Sequence, residues 1–193
     1  MTVAIYDPVL RQRLSFSRTI DPDGVEVLHV ETWVDPGGGV TPHVHPAIEE
    51  RFEVLAGTPG FLAGRAWTTA SPGQTFVVPP GTRHAYRNAG DQTAHMVCHV
   101  RPPSSLQDFL EEVTELSRSG RIGRWGLPTG ANAFLDCAAL AHRHRDMVTL
   151  QFPPMPPGCV QRLLFPMFAR VADRRHGDTV AVAGERAPVS ADR

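Results

Sequence analysis

The sequence contains no lysine, and this is the first of several absences that reduce the range of functions it could have. All 19 basic residues are arginines, and 20 acidic residues balance them. The net charge is -1 and the isoelectric point is near 6.7. Such a balance offers no basic field that would attract nucleic acid or an anionic membrane surface. We therefore predict neither a nucleic-acid partner nor a membrane partner.

Long hydrophobic runs and paired cysteines are also missing. No apolar run approaches the roughly 18 residues that a membrane-spanning helix needs. The first residues lack a charged start, an apolar core and a cleavage site, so we expect no signal peptide. The cysteines are Cys98, Cys137 and Cys159, an odd number spread far apart. They favour reduced thiols in a cytoplasmic protein over a disulfide framework or a zinc knuckle.

The 193 residues change character near the middle of the chain. Residues 1–24 are predicted to form an N-terminal arm. From residue 25 to 101, short segments rich in valine, phenylalanine and threonine alternate with turn residues, without intervening helices. This pattern is typical of an all-β sandwich or barrel, and we expect a mainly β fold.

A helical extension is predicted over residues 102–176, after the Pro102-Pro103 pair. Ser104 followed by Gln107 resembles a capping box, and apolar residues then recur at helical spacing until Gly120 offers a stop. The extension holds enough apolar residues that we expect it to pack on the barrel or on a partner subunit.

Two more helices and a tail complete the predicted extension. The helices cover about residues 132–143 and 160–174, the second bent by a proline. His142 and His144 lie about 200° apart around a helix, so they do not chelate together, and we predict a solvated helix end there. Residues 177–193 are small and polar and are predicted to be disordered.

Two histidines one residue apart raise the possibility of a metal site. In a strand, residues i and i+2 point to the same face, so the side chains of His43 and His45 project together. Two imidazoles on one face are the arrangement that a metal ion needs from a strand.

Which of two adjacent glutamates joins these histidines follows from strand periodicity. Glu50 shares its parity with Phe52 and Val54, which indicates that it points inward. Glu49 shares its parity with Arg51 and is predicted to face solvent. A buried carboxylate must be paired or bound to a cation, so Glu50 is the better ligand candidate.

A fourth candidate ligand follows a predicted turn. Pro80-Gly81 suits a type II turn, and His84 comes directly after it. Three imidazoles and one carboxylate suit a divalent transition metal, which could be Fe, Mn, Co, Ni, Cu or Zn. A metal preferring six ligands would keep two positions for water or substrate. Tyr86 shares the face of His84 and is either an acid/base or a packed tyrosine at the barrel mouth.

The chain resembles the cupin superfamily, and in particular small quercetin-dioxygenase-like cupins. The first matching motif is Gly37-x5-His43-x-His45-x4-Glu50-x6-Gly57, and the second is Gly73-x5-Pro79-x-Gly81-x2-His84-x3-Asn88. The resemblance implies a double-stranded β-helix barrel with a metal inside its mouth. It implies four metal ligands, namely His43, His45, Glu50 and His84. The helical extension lies outside both motifs.

The leading functional hypothesis is a metal-dependent enzyme of the dioxygenase type. It would act on a small, largely apolar or aromatic molecule, with Glu50 and Tyr86 as candidate acid/base groups. The predicted substrate pocket is lined by Phe52, Val54, Phe76 and Val78. The alternatives are a non-catalytic cupin that binds or senses a small molecule, and a metal-dependent cyclase or isomerase. Pairing of edge strands favours a homodimer.

Overall fold

A computed structural model describes residues 4–123, 126–151 and 156–184. It confirms the predicted mainly β fold followed by helices. The strands are β1 (Ile5–Asp7), β2 (Gln12–Ile20), β3 (Glu26–Val34), β4 (His43–Val44), β5 (Glu49–Ala56), β6 (Gly60–Ala63), β7 (Ala66–Thr69), β8 (Thr75–Val78), β9 (His84–Arg87), β10 (Ala94–Arg101) and β11 (Thr149–Leu150). The helices are α1 (Leu106–Arg118), α2 (Ala131–Arg143) and α3 (Gly158–Gly184).

The strands form two antiparallel sheets. The first has the order β1-β2-β3-β10-β5-β8, and the second has the order β11-β4-β9-β6-β7. Strands β1 and β2 come from the stretch predicted to be an arm, and that prediction needs correction. Strand β2 pairs with β3 from Gln12 opposite Val34 to Ile20 opposite Glu26. Because its ladder is long, this stretch is an integral part of the first sheet.

Alternation of side chains creates the apolar interior between the sheets. In β10, Ala94, Met96 and Cys98 are buried, while the residues between them are only half-buried. Aromatic rings join the two sheets across this interior: Phe61 lies 5.2 Å from Phe52 and 4.7 Å from Phe76, measured between ring centroids. Burial of these faces supplies the main driving force for folding.

Helix α1 begins at Leu106, one residue later than a capping box at Ser104 would place it. Ser105 is the N-cap and makes no side-chain capping hydrogen bond, so the predicted capping box is not formed. The helix ends before Gly120, as predicted. Leu106 is buried in the barrel core, and Phe109 and Leu110 pack against that core. The helix therefore covers one end of the barrel.

Helices α2 and α3 pack against each other through small side chains. Ala139 of α2 meets Ala169 and Ala172 of α3 in a second apolar cluster. Helix α3 continues to Gly184, beyond the boundary predicted at residue 176, and residues 185–193 lie outside the described part of the chain. Among the described helices, none combines the length and hydrophobicity required to cross a bilayer.

The burial of Leu106 makes α1 a contributor to stability. We expect Leu106→Ala to lower the free energy of unfolding by about 2–5 kcal/mol, because truncating a buried leucine leaves a cavity. The matched control is Leu163→Ala, since Leu163 is 77% exposed on α3. Chemical denaturation followed by circular dichroism measures both. Equal stabilities for the two variants would show that α1 is not part of the core.

Candidate metal centre

Strands β4 and β9 bring the two sequence motifs into contact. His43 of β4 lies directly opposite His84 of β9. Gly81, in the turn before β9, has a φ of 76°, and its N–H donates to the carbonyl of His45 at 2.8 Å. Glycine adopts this positive φ without steric strain, so the turn can bring the second motif against the first.

Glu50 reaches the same point from β5 of the other sheet. The carboxyl group is buried, whereas Glu49 is only half-buried, in agreement with the parity that the sequence predicted. One ligand atom from each of the four candidate side chains lies within 4.8 Å of the others. His45 and His84 are buried, and His43 is partly buried. These four residues could therefore hold one metal ion.

Backbone carbonyls fix the proton on each imidazole of the cluster. Nδ1 of His43 donates to the carbonyl oxygen of Thr41 at 2.8 Å. Nδ1 of His45 donates to that of Met147 at 2.9 Å, and Nδ1 of His84 donates to that of Thr82 at 2.9 Å. A carbonyl oxygen only accepts, so Nδ1 carries the hydrogen in each ring. The Nε2 atom of a neutral ring then presents a lone pair, which is the form that binds metal.

The remaining polar atoms of the cluster are acceptors that face one another. Nε2 of His84 lies 2.7 Å from Oε2 of Glu50, and Nε2 of His45 lies 3.7 Å from Oε1. Both Nε2 atoms and Oε2 are buried without a suitable hydrogen-bond partner. Buried acceptors at such distances need a cation or a proton between them. The chemistry of this donor set therefore fits a divalent transition metal.

The pKa values of His43 and Glu50 favour the protonation states that a metal requires. Burial alone would lower the pKa of His84, whereas the hydrogen bond and charge of Glu50 raise it. Burial, together with the neighbouring rings of His84 and His45, lowers the pKa of His43 to about 3. Burial alone would raise the pKa of Glu50, but its contact with His84 and the charges of the imidazoles lower it to about 2. At neutral pH, His43 is therefore neutral and Glu50 is ionised, so both are ready to act as ligands.

The cluster opens into an apolar cavity of about 150 Å³ between the barrel and the helices. The barrel contributes Leu14, Val30, Thr32, Phe52, Tyr86 and Cys98 to the lining, and the helices contribute Leu106, Phe109, Leu110, Val113 and Leu140. The helical extension therefore forms the roof of the cavity. The sequence indicated the apolar stripe of α1, but not that this stripe faces the metal ligands.

The predicted substrate pocket needs correction. Of its four residues, Phe52 lines the cavity. The other three do not line it: Val54 and Val78 belong to the packed core between the sheets, and Phe76 packs against that core. The prediction failed because α1 and α2 cover the ligand end of the barrel. The cavity therefore extends from the candidate ligands towards these helices and not into the space between the sheets.

Tyr86 also lines the cavity, and its hydroxyl group donates to Oε1 of Gln12 at 2.5 Å. Burial raises the pKa of Tyr86 well above its ordinary value, so the phenol stays protonated at neutral pH. Gln12 is almost fully buried in β2. The sequence provided no signal for Gln12, because a polar residue in a predicted arm has no assigned face.

The prediction of a solvated helix end at His142 and His144 is wrong for His144. This side chain is buried, with Nδ1 2.9 Å from the hydroxyl oxygen of Ser105 and Nε2 3.1 Å from Oε1 of Glu112. Glu112 lies in α1, and Ser105 is the N-cap residue of that helix. His144 therefore joins the end of α2 to α1 and does not belong to the metal cluster.

Comparison with known proteins places this architecture in a family. A family model for the cupin domain matches residues 30–100. The chain is 32% identical to protein SchB of Streptomyces halstedii over 93 residues, which cover 46% of this chain and 67% of that protein. The chain belongs to the cupin superfamily. This confirms the resemblance carried by the two motifs.

Two further proteins are similar to parts of this chain. Germin-like protein 5-1 of Oryza sativa subsp. japonica is 42% identical over 67 residues, which cover 32% of this chain and 30% of the germin-like protein. A solved protein with a double-stranded β-helix domain from Klebsiella pneumoniae is 25% identical, with a TM-score of 0.42. That match covers 47% of this chain and 72% of the Klebsiella chain.

The two neighbouring glutamates of this cupin provide a matched test of the cluster. We expect the wild-type protein to hold metal, and Glu50→Gln and His84→Ala to lose most of it, because the first removes the negative charge of the carboxylate and the second removes an imidazole. Glu49→Gln should retain it, since Glu49 lies on the other side of β5. Elemental analysis of protein purified without chelator measures metal content. Loss of metal in Glu49→Gln with retention in Glu50→Gln would contradict this assignment.

Proposed function

We propose that this cupin is a metal-dependent enzyme of the dioxygenase type that acts on a small, largely apolar or aromatic molecule. His43, His45, Glu50 and His84 would hold one divalent transition metal, which could be Fe, Mn, Ni, Co, Cu or Zn. The observation that carries the proposal is the direct opening of this buried cluster into an apolar cavity between the barrel and the helices.

A bound metal would supply open coordination positions at which a chelating enol or phenol is held and polarised. The protein side chains would then determine which molecule enters. Phe52 of the barrel and Phe109 of α1 both line the cavity and would present apolar surface to a substrate ring. Apolar walls also exclude water, which strengthens the electrostatic interactions within the cavity.

Two side chains of the cavity can handle the proton that an enol or phenol loses on binding. A carboxylate oxygen of Glu50, once released from the metal, would accept this proton. The hydroxyl group of Tyr86 already donates to Gln12, so its oxygen is left to accept a hydrogen bond from the substrate. Tyr86 would therefore orient the substrate, and Glu50 would take the proton.

The second candidate is a metal-dependent cyclase or isomerase that uses no oxygen. The uncharged phenol of Tyr86 favours it, because its hydrogen, turned from Gln12 to a substrate carbonyl, would polarise that carbonyl without any oxidant. A cytoplasmic location and a homodimer formed through edge strands stay predictions from the sequence.

The direct test is oxygen uptake by protein reconstituted separately with Fe²⁺, Mn²⁺ or Ni²⁺. Flavonols, catechols, diketones and polycyclic aromatic precursors are the substrates to be screened, with His84→Ala as the inactive control. Oxygen uptake matched by substrate consumption would support the proposal. Conversion without oxygen uptake would favour the cyclase or isomerase. Tight binding without turnover under every metal would favour a binding or sensing protein and contradict both enzymatic proposals.

The role of Tyr86 can be separated from metal binding. We expect Tyr86→Phe to keep its metal, because Tyr86 is not among the ligand cluster. It should lower kcat/KM by up to about tenfold, the effect of losing one neutral hydrogen bond to substrate. Steady-state kinetics and metal analysis measure the two effects. An unchanged kcat/KM would show that Tyr86 only packs in the cavity wall.

A further inference from the structure

The chain returns to the metal centre immediately after α2. We call residues 144–151 the return segment. The carbonyl oxygen of Met147 in this segment accepts the hydrogen bond from Nδ1 of His45 at 2.9 Å, across 102 positions of sequence. Both residues are buried, with 3% and 2% of their surface exposed. Solvent therefore does not compete for this hydrogen bond.

His45 differs in this respect from the other two imidazoles. His43 and His84 each donate to a carbonyl two residues earlier in their own stretch of chain, at Thr41 and Thr82. Those two bonds form locally, wherever the strand ends are folded. The ring of His45 is oriented by a residue of the helical extension. Its orientation therefore depends on how the extension packs.

The return segment also supports the strand that carries His43. Strand β11 pairs with β4 in register Thr149 opposite Val44 and Leu150 opposite His43. The N–H of Gln151 donates to the carbonyl of Pro42 at 2.9 Å. With only two residues, β4 has little pairing of its own, so β11 on one side and β9 on the other hold it in place.

His144 anchors the return segment to α1. Its carbonyl accepts hydrogen bonds from the N–H groups of Met147 and Val148, each at 2.9 Å. Its ring lies between the hydroxyl group of Ser105 and the carboxylate of Glu112. Nε2–H donates to the Glu112 carboxylate, and Nδ1 shares a hydrogen bond with the Ser105 hydroxyl group, so both ring nitrogens have a partner.

We propose that His144 is a positioning residue for the metal centre. It acts through the return segment, where the Met147 carbonyl fixes the tautomer and the orientation of the His45 ring. This inference rests on the proposed binding of metal by the cluster. A group that accepts a hydrogen bond from the second ring nitrogen of a metal-binding histidine sets the orientation and basicity of that ring. Loss of such a group typically weakens metal binding about 10- to 100-fold. The helical extension is then part of the metal centre as well as its roof.

The first experiment measures the affinity of the metal-free protein for Co²⁺ by competition with a chelator, together with the visible absorption spectrum of bound Co²⁺. We expect His144→Ala to weaken binding by up to about 10-fold, the lower end of the range for groups that contact a ligand directly, and to change the spectrum. The matched control is Ser117→Ala. It removes a buried hydrogen bond to Asp7, at 3.0 Å, that also anchors α1 but lies outside the return segment. Equal affinities and spectra in the two variants would overturn the proposal.

A second pair of variants tests the backbone of the return segment. Gln151→Pro removes the N–H group that donates to Pro42, whereas Gln151→Ala keeps it. We expect only the proline variant to bind Co²⁺ more weakly than the wild-type protein. Because both lose the same side chain, the two variants differ only in the lost N–H group and in the backbone restriction that proline imposes on β11. Equal affinities in the two variants would show that β11 does not support the ligand strand.

A third measurement needs no metal and separates the two proposals. Long-range proton–nitrogen NMR spectra of the metal-free protein report which ring nitrogen of His45 carries the hydrogen. We expect the Nδ1–H tautomer in the wild-type protein and in Ser117→Ala, and a mixture of tautomers in His144→Ala. Failure of the wild-type protein to bind Co²⁺ would contradict the proposed function alone. An unaltered His45 tautomer in folded His144→Ala would overturn the positioning role alone.

Discussion

The rest of this structure depends on one constraint. Several hydrogen-bond acceptors are buried together inside the apolar barrel, and this burial is unfavourable in free energy. Three imidazole nitrogens and a carboxylate meet inside the barrel, and some of these atoms have no donor to face. In an apolar interior such atoms are destabilising unless a cation neutralises them. The three Nδ1–H groups compensate in part, because each donates to a backbone carbonyl. The remaining acceptors at this point of the barrel could be satisfied by a cation or a proton.

The helical extension solves a second problem, which is the open end of the barrel. Metal ligands at a barrel mouth would otherwise be surrounded by water. Leu106 of α1, and Met147 and Val148 after α2, belong to the same apolar core as the strands. The extension therefore does not fold beside the barrel as a separate unit. It encloses the cavity and also supplies a carbonyl group to one of the ligand histidines.

The apolar walls of the cavity also influence the chemistry that is possible at the cluster. A cavity with apolar walls favours an apolar molecule, and it also lowers the local dielectric constant around the cluster. The polar groups within reach of such a molecule include Tyr86 and Glu50. Their opposite protonation states at neutral pH, a phenol and a carboxylate, follow from burial in one case and from nearby imidazoles in the other.

The amino-acid sequence by itself determined the features that depend on local geometry. Strand parity separated Glu50 from Glu49, since successive side chains of a strand point to opposite faces. The turn at Gly81 was also predictable, because it needs a residue that accepts positive φ. Helical spacing placed the three helices within a few residues, apart from the longer end of α3.

Only the tertiary structure determined which side chains pack against each face of a strand or helix. Periodicity shows that a side chain points inward but not what lies opposite it. For this reason, Val54 and Val78 were expected in the pocket but belong to the core. For the same reason, His144 was expected in solvent but is buried against α1. Contacts such as that between His45 and Met147 join residues far apart in the chain, and these depend on how whole elements pack.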